Sequence, residues 1–134
     1  MFVLDASVVA SWCFADESHP SAQLAFALIE QESAVAPTLL WFEVRNVLLV
    51  GERRKRLSEA QVGLFLTHLS ELPIEVDHAP DERTVLGLAR RHNLSVYDAV
   101  YLELAQRRAL ALATLDRALM NVARAEKVAL LGEG

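Results

Sequence analysis

Cysteine is nearly missing from this 134-residue chain: Cys13 stands alone, so no intramolecular disulfide can staple the fold. A lone thiol fits a reducing compartment, and the cytoplasm is the expected location. Histidine is also sparse, and His19, His68, His78 and His92 make no short-range zinc pattern, so any metal would be held by oxygen ligands. A basic excess is lacking too. Thirteen Lys and Arg against eighteen Asp and Glu leave a net charge of −5, which excludes a protein that coats nucleic acid through bulk charge. The opening run MFVLDASVVASWCFADE has no positive start and is broken by Asp5, so neither a secretory signal nor a membrane span is expected. No repeat, low-complexity segment or linker divides the chain, which is read as one domain over residues 1–134.

What is present is apolar: 53% hydrophobic residues against 23% charged, enough for one substantial core. Short apolar runs at 2–4, 34–36, 74–76, 110–113 and 128–131 read as strands. They alternate with helical segments at 6–14, 19–32, a long one opening at Pro37 and Thr38, one from Ser58 to Leu72, and others at 81–92, 96–107 and 116–125. Ser58 with Gln61 is a capping box, and Asn93 a helix-ending residue. Strands alternating with helices predict an α/β fold, a three-layer α/β/α sandwich around a mostly parallel five-stranded sheet.

In such a sheet, ligands bind at the carboxyl ends of the strands. Asp5 directly follows the first strand and Asp116 closely follows the fourth, while Asp98 lies in the first turn of a helix. Each has a plain alternative as a helix cap or dipole partner, worth about 1 kcal/mol. Glu43 is harder to set aside, because it sits among Leu39, Leu40, Trp41, Phe42 and Val44, where an unpaired carboxylate is costly. Arg45 does not share its helix face; Asn46 does. Carboxylates gathered together repel unless a cation intervenes, and oxygen donors suit Mg²⁺ or Mn²⁺. Such a site can activate water against a phosphodiester. Ser7 and Thr114, each two residues from an Asp, either support the carboxylates or make local turn bonds.

The set Val3-Leu4-Asp5-Ala6-Ser7, Pro37 before a helix bearing Glu43 and Asn46, Leu94-Ser95-Val96-Tyr97-Asp98-Ala99, and Ala113-Thr114-Leu115-Asp116 resembles the PIN-domain family. It is most similar to the small VapC-type ribonuclease toxins of bacterial toxin–antitoxin pairs. The resemblance covers nearly the whole chain and implies a PIN-like fold. It also implies an acidic metal site of Asp5, Glu43, Asp98 and Asp116, with Ser7 or Thr114 as the neighbouring hydroxyl and Asn46 as a polar neighbour. The implied activity is Mg²⁺-dependent endoribonuclease cleavage, with Mn²⁺ as substitute, of transfer or ribosomal RNA. The implied partners are a VapB-like antitoxin and a second copy in a homodimer, with a higher-order antitoxin complex left open. Rival readings are an inactive PIN-like module that binds RNA or protein, and a nuclease or esterase for DNA or a small phosphate ester.

Arg53, Arg54, Lys55 and Arg56 form one basic cluster, Arg90, Arg91 and His92 another, and Arg107 with Arg108 a third; RNA contact and simple solvation are both open for each. Arg117 adjoins Asp116 and is a further candidate RNA contact. Trp12, Cys13 and Phe14 are expected in core or subunit packing. Trp41 and Phe42 must point in different directions on a helix, one of them toward a dimer or antitoxin surface, and Tyr97 and Tyr101, four apart, are expected to pack with helix neighbours.

Overall fold

The computed structural model describes residues 1–14 and 16–133. Its elements run β1 (Phe2–Leu4), α1 (Ala6–Cys13), α2 (Pro20–Glu32), β2 (Ala34–Pro37), α3 (Leu39–Arg53), α4 (Glu59–Ser70), β3 (Ile74–Asp77), α5 (Glu82–His92), α6 (Val96–Arg108), β4 (Leu112–Ala113) and α7 (Arg117–Ala125). The sheet order is β3-β2-β1-β4 and every pairing is parallel, with Val3 opposite both Val35 and Leu112. After three strands laid down in one direction, the chain crosses back to place β4 on the free side of β1. Order therefore reverses at β1, which puts the carboxyl ends of β1 and β4 at the switch point where crevices form in such sheets.

Side chains alternate across β1 and divide the core in two. Phe2 and Leu4 pack with Val8, Ile29, Val44 and Leu48 from α1, α2 and α3; Val3 packs with Leu88, Leu102, Leu104 and Leu119 from α5, α6 and α7. Full burial of such an aliphatic side chain contributes about 1.5–3 kcal/mol, so these two layers dominate the stability of the fold. The three-layer architecture is as expected from the sequence.

The strand count is not. Among the described residues four strands form, not five: the segment expected as a strand over 128–131 makes one parallel bridge, Leu130 to Leu112. Lys127 at φ 59° and Gly132 at φ 84° turn the chain on either side, leaving room for a single register pair. β4 is likewise shorter than the expected 110–113. The backbone N–H of Leu110 returns to Ala105 at 3.0 Å and Ala109 adopts φ 53°, so Leu110 completes the end of α6 instead of entering the sheet.

Local signals elsewhere behave as their chemistry requires. Ser58 Oγ accepts from the Gln61 N–H at 3.1 Å while Gln61 Oε1 accepts from the Ser58 N–H at 2.8 Å, the reciprocal capping box. Asn93 closes α5 in the left-handed region at φ 53°. No helix among the described residues is long and apolar enough to cross a membrane.

Candidate active site

Asp5 occupies the N-cap position of α1, yet its side chain makes no capping bond. The carboxylate turns instead across the carboxyl edge of the sheet, where Oδ2 accepts from Ser7 Oγ at 2.6 Å and from Thr114 Oγ1 at 2.7 Å. Each hydroxyl is itself oriented from behind. The Leu115 N–H donates to Ser7 Oγ at 2.9 Å and the Asp116 N–H donates to Thr114 Oγ1 at 3.1 Å. With those acceptor positions filled, both hydroxyl protons point at one oxygen of a carboxylate only 6% exposed. The loop after β4 therefore holds the side chain that ends β1, and the plain capping reading of Asp5 does not apply.

The other acids reach the same edge from both helical layers. Asp116 caps α7 through Oδ1, 3.1 Å from the Leu119 N–H, so its capping role is real. Asp98 sits in the first turn of α6, where Ser95 Oγ accepts from its backbone N–H at 3.1 Å and leaves its side chain out of the cap. Glu43 projects from α3 and accepts from the Tyr101 hydroxyl at 2.7 Å.

Electrostatics show that these groups share one region. Burial raises the Asp5 pKa most, Asp116 adds to it, and the hydroxyls of Ser7 and Thr114 oppose it. Glu43 is raised by burial and then by the charges of Asp5 and Asp98, against the Tyr101 bond. Asp98 is raised by burial and then by Asp116 and Asp5. The Tyr101 phenol, buried beside these acids, is pushed upward and stays protonated. Among the described residues, none of the four acids forms a salt bridge. The cluster is uncompensated, and its donor set, all carboxylate and hydroxyl oxygen, fits a hard divalent cation. Among the described residues no three acidic, imidazole or thiol groups close around a common point tightly enough to enclose an ion directly.

The remaining expected residues divide. Asn46 is exposed and lines, with Ser7, Arg54 and Arg56, a groove of about 310 Å³ between α1 and the end of α3. Arg53, Arg54 and Lys55 are exposed beyond it, whereas Arg56 is engaged by Asp16 at 3.0 Å and Glu17 at 3.3 Å and lies 4.1 Å over the Phe14 ring. Arg117 is exposed on the first turn of α7. Arg107 and Arg108 are tied into ion pairs, Arg107 to Asp77 and buried Glu103 at 2.6 Å each and Arg108 to Glu75, so they clamp α6 to β3. Arg91 and His92 similarly hold Glu126.

Tyr101 is the site residue that reasoning from sequence missed. It was expected, like Tyr97, only to pack with helix neighbours; Tyr97 is instead 62% exposed, while Tyr101 is 0% exposed in the core and its hydroxyl also donates to Glu43. The available signal was its position three residues after Asp98, on the same helix face. Two larger apolar grooves lie outside the acid cluster. One, about 560 Å³, is bounded by Trp12, Phe26, Phe65 and Leu69; the other, about 680 Å³, by Trp41, Phe42, Leu72 and Val76. Their chemistry is that of docking faces, not of phosphate chemistry.

A family model for the PIN domain matches residues 2–125. Ribonuclease VapC3 of Pyrobaculum aerophilum is 32% identical over 120 residues, spanning 87% of this chain and 90% of that protein. The crystal structure of PAE2754 from Pyrobaculum aerophilum superposes with a TM-score of 0.72 at 24% identity, covering 90% of this chain and 83% of the other. FitAcB from Neisseria gonorrhoeae gives a TM-score of 0.61 at 17% identity, covering 98% and 97%. At those identities the two structures speak for the fold alone.

Proposed function

Since the chain belongs to the PIN-domain family, we propose that it is a metal-dependent endoribonuclease and the toxin of a toxin–antitoxin pair. The observation that carries the reading is Asp5: a buried carboxylate withheld from helix capping, fixed by two oriented hydroxyls, and within reach of a further acid's charge, with no salt bridge among the described residues. The 32% identity to a protein named as a ribonuclease supports the same class of chemistry.

Asp5, Glu43, Asp98 and Asp116 would hold Mg²⁺, or Mn²⁺ in its place. When bound there, the cation lowers the pKa of the attacking water and offsets charge developing on the scissile phosphate. Ser7 and Thr114 keep Asp5 in one orientation, and Asn46 offers a polar contact beside Ser7. Arg53, Arg54 and Lys55, with Arg117 on the first turn of α7, bind flanking phosphates of a transfer or ribosomal RNA; Arg56 joins them only by leaving its acidic partners. Trp41 and Phe42, 57% and 64% exposed, form a dimer face for a second copy. The apolar groove at Trp12 and Phe26 takes a segment of a small VapB-like antitoxin. A cytoplasmic location follows from RNA as substrate.

The open spacing of the acids favours one second reading, a catalytically inactive module that binds RNA or protein. The deciding experiment incubates total cellular RNA with the purified, antitoxin-free protein in Mg²⁺ or Mn²⁺, with chelator, and beside Asp5→Asn. Discrete fragments that need both metal and Asp5 are expected. Intact RNA with a folded, metal-binding protein would shift the assignment to the binding module.

A further inference from the structure

Building on the reading that the acids hold a divalent cation, we propose that Tyr101 is the positioning residue for Glu43, setting the carboxylate that α3 contributes to the site. The bond joins residues 58 apart in sequence, from the middle of α6 to α3, at 2.7 Å. Tyr101 is 0% exposed, so its ring is fixed by the surrounding core and its hydroxyl has one direction to point. A glutamate side chain has three rotatable bonds, and a half-buried Glu43 has no other side-chain hydrogen bond or salt bridge among the described residues. The phenol occupies Oε1 and leaves Oε2 without a side-chain partner among the described residues, on a carboxylate that feels the charges of Asp5 and Asp98.

Packing alone does not account for a tyrosine here. A phenylalanine would fill the same volume without placing a hydroxyl that must then find an acceptor inside the core. Asp98 and Tyr101 lie three apart on α6, so one helix face both supplies an acid and sets the position of another acid. The separation of α3 and α6 is thereby translated into the spacing between Glu43 and Asp98. Partners that orient a ligating carboxylate from behind carry a large share of metal affinity, typically tenfold or more on removal.

The test is Tyr101→Phe in the full chain, with Mn²⁺ binding measured by isothermal titration calorimetry and RNA cleavage measured separately. The expected result is a Mn²⁺ dissociation constant about tenfold weaker with near-native far-UV circular dichroism, and a lowered kcat at unchanged KM. Glu43→Asp, too short to span from α3 to the phenol, severs the bond from the other side. It is expected to weaken Mn²⁺ binding by itself and to make a further Tyr101→Phe change silent. Should Tyr101→Phe bind Mn²⁺ like the wild type while Asp5→Asn loses binding, the positioning role is overturned and the acidic site stands. Equal Mn²⁺ binding by wild type and Asp5→Asn, or none by either, would overturn the acidic site and the Tyr101 role together.

Discussion

Replacing Thr114 with valine tests whether the hydroxyl network around Asp5 is a structural unit. Valine preserves the β-branched shape at a position that is 4% exposed, so the change isolates Oγ1. Two bonds are lost. The 2.7 Å bond to Asp5 Oδ2 is charge-assisted and worth about 1.5–3 kcal/mol, and the Asp116 N–H, 3.1 Å from Oγ1, loses its acceptor at a cost of about 1–2 kcal/mol. The extra methyl buried in place of the hydroxyl returns about 0.8 kcal/mol. The net expectation is a destabilisation of about 2–4 kcal/mol. Thr114→Ser keeps both bonds and loses one methyl, so it should cost about 1 kcal/mol. Urea unfolding of wild type, valine and serine variants at constant m-value reads the difference directly. The same pair should separate in Mn²⁺ affinity, with valine about tenfold weaker and serine near wild type. A valine variant within about 0.5 kcal/mol of wild type, or a serine variant no better than valine, would refute the network.

Acid stability should fall through Glu126, whose carboxyl is held below the usual range chiefly by His92 at 2.6 Å, with Gln106 and Arg91 assisting. A depressed folded pKa contributes stability above the ordinary glutamate value and loses it as pH drops toward the folded value; Glu126→Gln should flatten urea midpoints measured from about pH 6 to pH 3. Changing Arg53, Arg54 and Lys55 together to Ala should weaken binding of a single-stranded oligoribonucleotide in chelator and reduce the slope of log K against log salt by about 2. An unchanged slope would remove that cluster from the RNA path. Trp41→Ser with Phe42→Ser should alter monomer stability by about 0.5 kcal/mol or less, since both are exposed, while the proposed dimer dissociates to monomer in sedimentation. Sedimentation identical to wild type would refute Trp41 and Phe42 as the proposed dimer face.

How much the sequence discloses depends on the range of the interaction. Helices were legible because caps and turn-forming residues are local: Ser58 with Gln61 and Asn93 do what their side chains dictate. The layers followed from alternation of apolar strands with amphipathic helices. Strand extent was not legible at the fourth and fifth positions, because β pairing there is decided by backbone turns at Ala109, Lys127 and Gly132 that apolar composition does not reveal. Asp5 and Asp116 look alike in sequence, each following a strand and opening a helix, yet only Asp116 caps. The difference is set by Ser7 and Thr114, which meet over 107 residues of separation. Tyr101 was invisible for the same reason: its acceptor lies on another helix.

The net charge of −5 is a sum that says nothing of where the charges stand. Elsewhere seven carboxylates are matched, Asp16 and Glu17 by Arg56, Glu75 by Arg108, Asp77 and Glu103 by Arg107, Glu126 by Arg91, and Glu133 by Arg124, while Glu30, Glu32, Glu52, Glu59, Glu71, Asp81 and Glu82 form no salt bridge among the described residues. Those five arginines are consumed in holding elements together. What sets Asp5, Glu43 and Asp98 apart is that they are unpaired, partly or wholly buried and within reach of one another's charge, with Asp116 beside them, while Arg53, Arg54 and Lys55 stand exposed at the end of α3. Bulk charge repels an RNA, but within a Debye length of about 8 Å the local distribution governs. An approaching strand then meets a basic helix end beside an acidic cleft. On the proposed ribonuclease reading, the basic end would attract phosphate, the cleft would attract a divalent cation, and the scissile bond would lie where the two fields meet.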